Sequence, residues 1–260
     1  MMNLRVNYDQ LAPTYNLRYM TDKVDGIAIA LQSLARELDA KRILEVGCGT
    51  GHWLSILQST TQVYGLDLSL GMLRLASTQK LRGLACGQAI QLPFPDQAFD
   101  LVFCVNAIHH FGQPRVFISE ARRLLRPGGA LAVVGLDPHG HRDSWYVYHY
   151  FAGTYETDLS RFPSWETILD WITATGFDRV GQRLAERITN LYAGRQVLDD
   201  PFLKKESCSQ LALLTDEAYV AGLNRIKAAI EKSEAGGETL VFPNDLMLAL
   251  LTGRVPMRQI

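Results

Sequence analysis

A doubly wound α/β sheet is the fold class this sequence predicts, and three observations predict it. Between residues 41 and 136, short apolar runs alternate with segments of helical character. The first run, Ile43 to Val46, passes directly into a glycine-bearing turn, Gly47-Cys48-Gly49-Thr50-Gly51. An acid, Asp67, ends the second run, 20 residues after Gly47. Short continuous apolar runs suit parallel strands covered on both faces. Open sheets of this kind bind ligands at the carboxyl ends of their strands, where the strand order reverses.

The elements follow in order. Ile43 to Val46 is the first predicted strand, Val63 to Leu66 the second, Leu84 to Cys86 a weaker third, Asp100 to Val105 the fourth and Ala130 to Leu136 the fifth. The clearest helix runs from Pro114 to Arg126, with Val116, Phe117, Ala121, Leu124 and Leu125 on one face. Pro114 suits the first turn, and Arg126-Pro127-Gly128-Gly129 stops the helix. After Asp137 the texture changes. Residues 139 to 165 hold Trp145, Tyr146, Tyr148, Tyr150, Phe151, Tyr155, Phe162 and Trp165, a density well above the 9% aromatic average of the chain. A helix from Trp165 to Thr175 ends at Gly176. Phe177 to Thr189 reads as extended. Asp216 to Lys232 is amphipathic, with Thr215 as its N-cap. Gly236-Gly237 is a turn, and Leu246 to Thr252 a last strand.

Composition narrows the function. The 260 residues include 26 Lys+Arg and 27 Asp+Glu, for a net charge of -1. That balance lacks the whole-chain positive charge that nonspecific nucleic-acid or anionic-membrane binders use. The four cysteines, Cys48, Cys86, Cys104 and Cys208, form no C-x-x-C pair and fit reduced thiols better than a disulfide framework. The start, MMNLRVNYDQ, has no apolar stretch behind a basic segment, so no signal peptide is expected. The longest apolar runs are too short to cross a bilayer. A cytoplasmic location is the expectation.

The strand–turn–helix at Gly47 to Gly51 carries the strongest signal. Glycines there bring backbone amides close to a ligand. An acid at Asp67 can accept hydrogen bonds from both hydroxyls of a ribose. The chain has G-x-G-x-G and not the dinucleotide form G-x-G-x-x-G, with His52 where the last glycine would fall. The run Ile43 to Gly51 resembles the first motif of the class I S-adenosylmethionine-dependent methyltransferases. Gly65-Leu66-Asp67-Leu68-Ser69 resembles the second. Gly87 to Phe94, with Phe99-Asp100, resembles the third, and Leu124 to Gly129 resembles the segment entering the fifth strand. The chain looks most similar to the small-molecule branch that includes quinone-biosynthesis methyltransferases. Tyr8-Asp9-Gln10-Leu11-Ala12-Pro13-Thr14-Tyr15-Asn16 resembles the Y-D-x-x-A-x-x-Y-D lid helix of that branch, with Asn16 in place of its last acid.

The resemblance implies a Rossmann-like, doubly wound, seven-stranded and mostly parallel sheet, with an antiparallel last strand and helical lid elements. Its implied cofactor is S-adenosyl-L-methionine, with S-adenosyl-L-homocysteine as product. Gly47 and Gly49 would lie under the methionine part, with Glu45 organising the loop. Asp67 would hold the ribose, Leu68 and Met72 would pack on the adenine, and Ala89 would offer its backbone amide to the ring. Val105 would line the cleft, and Tyr15 and His110 would touch the cofactor. Gln88 stands where the family usually has an acid, and its amide oxygen can still accept from the adenine amino group.

A sulfonium methyl group is already activated, so positioning the acceptor in line is the main task of such an enzyme. A base is needed only for an acceptor protonated at working pH. His109 and His110, just past the fourth strand, are the candidates for that catalytic role, against a plain cleft-lining role. His139, His141 and His149, near Asp137 and Asp143, are read as loop polarity, and no metal is expected. The stretch Trp145 to Phe162 is read as a lid over an apolar substrate. Arg179, Arg183 and Arg187 fall on one face of an extended segment, either a solvated edge or a greeting for an anion.

The expected organisation is one methyltransferase domain over residues 1–260, with an N-terminal helical lid (1–40), a cofactor-binding core (41–137), and substrate-cap insertions with the final strands (138–260). The expected reaction is methyl transfer to a small-molecule acceptor, apolar or aromatic, with no nucleic-acid partner and no membrane span. An RNA or protein methyltransferase, or a noncatalytic S-adenosylmethionine-binding protein, is the alternative.

Overall fold

The computed structural model describes residues 6–16, 25–81 and 83–257. Two helices, α1 (Tyr8–Tyr15) and α2 (Asp25–Glu37), precede the sheet. The core alternates β1 (Arg42–Val46), α3 (His52–Leu57), β2 (Gln62–Asp67), α4 (Leu70–Thr78), β3 (Gly83–Cys86), β4 (Phe99–Val105), α5 (Pro114–Leu124) and β5 (Leu125–Gly135). Then come β6 (Ser144–Trp145), α6 (Tyr146–Tyr150), α7 (Thr154–Arg161), α8 (Trp165–Ala174), β7 (Asp178–Ala193), α9 (Ser209–Ala212), α10 (Asp216–Ala235) and β8 (Val241–Arg254).

The sheet order is β3-β2-β1-β4-β5-β8-β6, with β7 also paired to β8. Strands β1 to β5 are parallel, and β8 runs antiparallel to β5, β6 and β7. The reversed last strand is longer than Leu246 to Thr252. Among the described residues the strands number eight and not seven, because Ser144–Trp145 adds a two-residue partner to β8. Alternation along the buried strands feeds two cores. Val102 and Cys104 pack with Phe117, Ile118 and Ile168 on the α5 and α8 side. Leu101 and Phe103 pack with Leu31, Leu34 and Leu54 on the α2 and α3 side. That two-sided burial is the reason the strands read as unbroken apolar runs.

Pro114 occupies the first turn of α5. The helix stops at Leu124, short of Arg126, and Leu125 is already extended. Pro127 disfavours helical geometry at the residue before it, so the chain straightens there.

The three arginines do not share one face. The β7–β8 register shifts between Leu184 and Glu186, and a one-residue slip reverses which face a side chain takes. Arg183 donates to the Ala30 carbonyl and pairs with Glu37, whereas Arg187 pairs with Asp245 at 2.7 Å. Two of the three are therefore engaged by acids of this chain.

Strand β8 is the spine that joins core to cap. Its Ala249–Arg254 stretch pairs with β5, and its earlier residues pair only with β6 and β7. Around that earlier part a third core forms from Tyr146, Val147, Phe151, Val197, Leu211, Ile226 and Phe242. Gly222 lets α10 approach closely, since a Cβ there would run into the Phe151 ring. Thr215 caps α10 by accepting from the Ala218 amide. Most of the aromatic segment thus builds the interior of the cap. Among the described residues no helix is long and apolar enough to cross a membrane.

Candidate cofactor and substrate site

Strand β1 lies between β2 and β4, so the strand order reverses at its carboxyl end. The glycine loop leaves β1 there. Gly47, Gly49 and Gly51 take φ of 75°, 52° and 77°, a region where a side chain is strained. A Cβ on Gly47 would lie 2.7 Å from that of Ala107. A Cβ on Gly49 would have Cε1 of Tyr15 as its nearest neighbour, at 3.9 Å, so Gly49 presents its bare backbone toward that ring. The amides of Gly47 and Cys48 both donate to the Leu66 carbonyl and fasten the loop to β2.

Two carboxylates face this loop. Asp67 accepts from the Gly49 amide at 2.7 Å and from the Ser69 amide at 2.9 Å, one bond to each oxygen. Each oxygen keeps a second lone pair for a ligand. Burial raises its pKa against the pull of those amides. Glu45 is only 1% exposed, and its Oε2 has no hydrogen-bond partner among the described residues. Burial first, and the charge of Asp67 second, push its carboxyl well above the usual range. An orphaned buried acid beside a bare glycine turn fits a ligand that brings hydroxyls and a positive charge.

Helix α1 closes over this corner and is tied down along its length. Asp9 accepts from the Ser69 hydroxyl at 2.6 Å and from the Gly71 amide at 2.7 Å, at the start of α4. Those bonds, with Arg74 nearby, lower its pKa. Just past the helix, Asn16 accepts from the Thr50 hydroxyl at 2.6 Å. The Tyr8 hydroxyl hydrogen-bonds Nε2 of His110 at 2.7 Å.

Beneath α1 lies a cavity of about 150 Å³ that runs from this corner into the cap. Tyr8, Tyr15, Trp53, Val105 and His110 line the loop end. Trp145, Phe162, Gln210, Asn244 and Leu246 line the cap end, and His109 sits between. His109 stacks on Phe162 with ring centres 3.7 Å apart, and its Nε2 is buried without a partner among the described residues. Burial holds His109 well below the usual histidine range, helped by His110 and Arg161. His110 is lowered to about 3, again chiefly by burial and then by Arg161. Both rings are therefore neutral and poor proton acceptors near pH 7.

The wall behind them is a polar cluster in the cap. Asp158 accepts from Arg161 at 2.6 Å, from the Tyr148 hydroxyl at 2.8 Å and from the Gln210 amide at 2.6 Å. Arg161 also donates to the Ser209 hydroxyl at 3.0 Å.

The residues expected at the site are distributed as follows. Tyr15, Val105, His109 and His110 meet in the cavity, while Glu45 on β1, Gly47 and Gly49 in the loop and Asp67 at the end of β2 form the adjoining corner. Leu68 is 63% exposed beside them, and Gln88 is exposed next to buried Ala89. Met72 is buried against Leu11 and Ala12 under α1, where it packs with the lid. His139 and His141 are engaged locally, by the Phe162 carbonyl and the Tyr155 hydroxyl.

Sequence reasoning did not find Trp53, Asn106, Gln210 or Asn244. Asn106, at φ 49° directly after β4, carried a usable signal, since a polar residue that tolerates the left-handed region often ends a strand at a site. Asn244 carried none, because its place depends on how β8 enters the cap.

Residues 44–133 match the methyltransferase domain family. The chain is 39% identical over 115 residues to phthiotriol/phenolphthiotriol dimycocerosates methyltransferase 1 of Mycobacterium ulcerans, covering 42% of this chain and 42% of that protein. It is 31% identical over 148 residues to the O-methyltransferase rstn1 of Aspergillus nomiae, covering 49% and 65%. The match thus spans less than half the length of the mycobacterial relatives. A crystal structure from Anabaena variabilis, described as a methyltransferase from an antibiotic biosynthesis pathway, superposes with a TM-score of 0.65 at 21% identity, covering 87% of this chain and 96% of that one. The glycine turn, the acid after β2 and the sheet with its reversed last strand agree with these matches, so over residues 44–133 this chain is similar to the methyltransferase domain family.

Proposed function

We propose that this chain transfers a methyl group from S-adenosylmethionine to a small, largely apolar acceptor held under the cap. One observation carries the reading. A single cavity runs from Tyr8, Tyr15 and Val105, beside the glycine loop, to a chamber walled by Trp145, Phe162 and Leu246. The mycobacterial and Aspergillus relatives, named for small-molecule and O-methylation, support it. So does the resemblance to the quinone-biosynthesis branch.

When bound, S-adenosylmethionine supplies an activated methyl group. The work of the protein is then to bind, orient and exclude water. Glu45 would take the ammonium end, Gly47 and Gly49 would bed the methionine portion, and Asp67 would take the ribose. Leu68, Met72, Gln88 and Ala89 would form the adenine side. Tyr8 and Tyr15 would close the lid. His110, neutral and bonded to Tyr8, would fix that lid, and His109 would present a neutral ring to the acceptor. Neither histidine is assigned as a strong base. In this reading residues 1–40 form the lid, 41–137 the cofactor core and 138–260 the cap of one domain. Four free thiols fit a reducing cytoplasm.

The test is calorimetry with S-adenosylmethionine and S-adenosylhomocysteine, followed by transfer of a labelled methyl group to a panel of apolar hydroxylated compounds. Binding with turnover is expected. No binding of either nucleoside by folded protein would overturn the reading, and tight binding with no turnover across the panel would favour a noncatalytic binder.

A further inference from the structure

The cap end of the cavity contains a polar pair that the proposed chemistry does not use. Trp145 on β6 and Asn244 on β8 are direct cross-strand partners, so their side chains leave the sheet on the same face. Both line the cavity. Trp145 is 4% exposed and Asn244 is 2% exposed. The indole Nε1 of Trp145 and the Oδ1 of Asn244 are each buried with no hydrogen-bond partner among the described residues. One is a donor without an acceptor. The other is an acceptor without a donor. Nearly all buried polar groups in folded chains are paired, and two neighbouring exceptions in a cavity wall indicate that a ligand completes them.

Resting on the methyltransferase reading above, we infer that Trp145 and Asn244 are the specificity pair for the acceptor, selecting an uncharged, mostly apolar molecule through a group that both accepts and donates a hydrogen bond, of which a hydroxyl is the smallest. The rest of the wall supports this choice. Leu136, Ile188, Leu246 and Leu248 offer apolar surface, and the polar residues beside them, Gln210 and Ser209, are engaged by Asp158 and Arg161. A carboxylate on the ligand would satisfy Trp145 but would face the Asn244 oxygen with a negative charge. Arg161 does not line the cavity, and its Nη2 pairs with Asp158 at 2.6 Å. A methyl ether would satisfy Trp145 and leave Asn244 without a donor. An ammonium would do the reverse. A hydroxyl serves both, accepting from the Trp145 N–H and donating to Asn244 Oδ1.

The experiment compares three ligands with one aromatic body: naphthol, methoxynaphthalene and naphthoate, substituted at the same ring position. Each is titrated calorimetrically into the full chain saturated with S-adenosylhomocysteine. Naphthol is expected to bind about 10-fold more tightly than methoxynaphthalene, with naphthoate weakest. Trp145→Phe keeps the ring and removes the N–H, and should weaken naphthol about 5- to 10-fold. Asn244→Leu should weaken naphthol by a similar factor while leaving methoxynaphthalene within about 2-fold. Affinity for S-adenosylhomocysteine should be unchanged in both variants, which shows that they fold. The wild-type ranking decides the matter even if a variant does not fold. Equal affinity for the three ligands, tighter binding of naphthoate, or no binding of naphthol would overturn the inference. Failure to bind S-adenosylhomocysteine is a separate result and strikes the methyltransferase reading itself.

Discussion

Two buried carboxylates, one in the core and one in the cap, are treated in opposite ways. Asp158 in the cap is sealed, and it is matched by a guanidinium, a phenol and an amide. Glu45 in the core is equally sealed and has an oxygen with no partner. A buried charge is expensive unless paired, so Asp158 is complete as it stands and Glu45 is not. The Asp158 cluster holds the cap together, although Nε and Nη1 of Arg161 are buried without a partner among the described residues. The incomplete acid, Glu45, is, in the function proposed above, completed by the cofactor. Unsatisfied buried groups elsewhere in the cavity, at His109, Trp145 and Asn244, follow the same logic.

The largest effect that would test this contrast is in the cap. Asp158→Ala strands Arg161, Tyr148 and Gln210 at once. Removing one partner of a buried ion pair typically destabilises by ~3–5 kcal/mol, and denaturant unfolding should show a loss of that order. A loss under ~1 kcal/mol would mean the cluster is decorative.

Asp67→Ala comes next. It removes two amide bonds from the glycine loop and the proposed ribose contact, and should weaken S-adenosylhomocysteine binding by ~1–3 kcal/mol in calorimetry. Unchanged affinity would remove the ribose assignment.

Glu45→Gln sharpens the comparison because the two readouts should move apart. Unfolding free energy should hold or rise by up to ~1 kcal/mol, since an unpaired buried acid is lost. Nucleoside affinity should fall by ~1–2 kcal/mol, since a charge-assisted bond becomes a neutral one. Lost stability with intact binding would make Glu45 a structural residue like Asp158.

The smallest effect is in the pH profile. His110 titrates at about 3 in the fold against 6.5 for an unperturbed histidine. Between those values the unfolded chain binds the extra proton, so stability rises with pH across the interval and falls on acidification. By pH 6 the loss amounts to only ~1 kcal/mol and it deepens further down. The variant His110→Asn should flatten that acid limb in thermal melts followed against pH. An unchanged limb would mean that the histidine is solvated in the fold.

Much of the core was legible because its constraints are local. Ile43 to Val46 and Asp100 to Val105 are buried on both faces, so their apolar runs identify them without any knowledge of their partners. Gly47 to Gly51 needs positive φ at three places, and that need is visible in the residues themselves. The cap resisted such reading. A two-residue strand at Ser144–Trp145 has no period to detect. The bulge between Leu184 and Glu186 redirects Arg187 from its expected face, and nothing in the spacing announces it. Met72 reads equally well as an adenine contact or a lid contact until α1 is seen to lie on it.

By itself the sequence determined the order of strands and helices in the core, the glycine turn and the acid at position 67. Each of these depends on backbone geometry and on burial of neighbouring residues. Tertiary structure alone decided which polar groups are satisfied. Glu45 and Asp158 are both acids in ordinary contexts, and their difference arises from side chains brought in over long stretches of chain, Gln210 among them. Hydrogen-bond satisfaction depends on three-dimensional neighbours, which residue spacing does not encode.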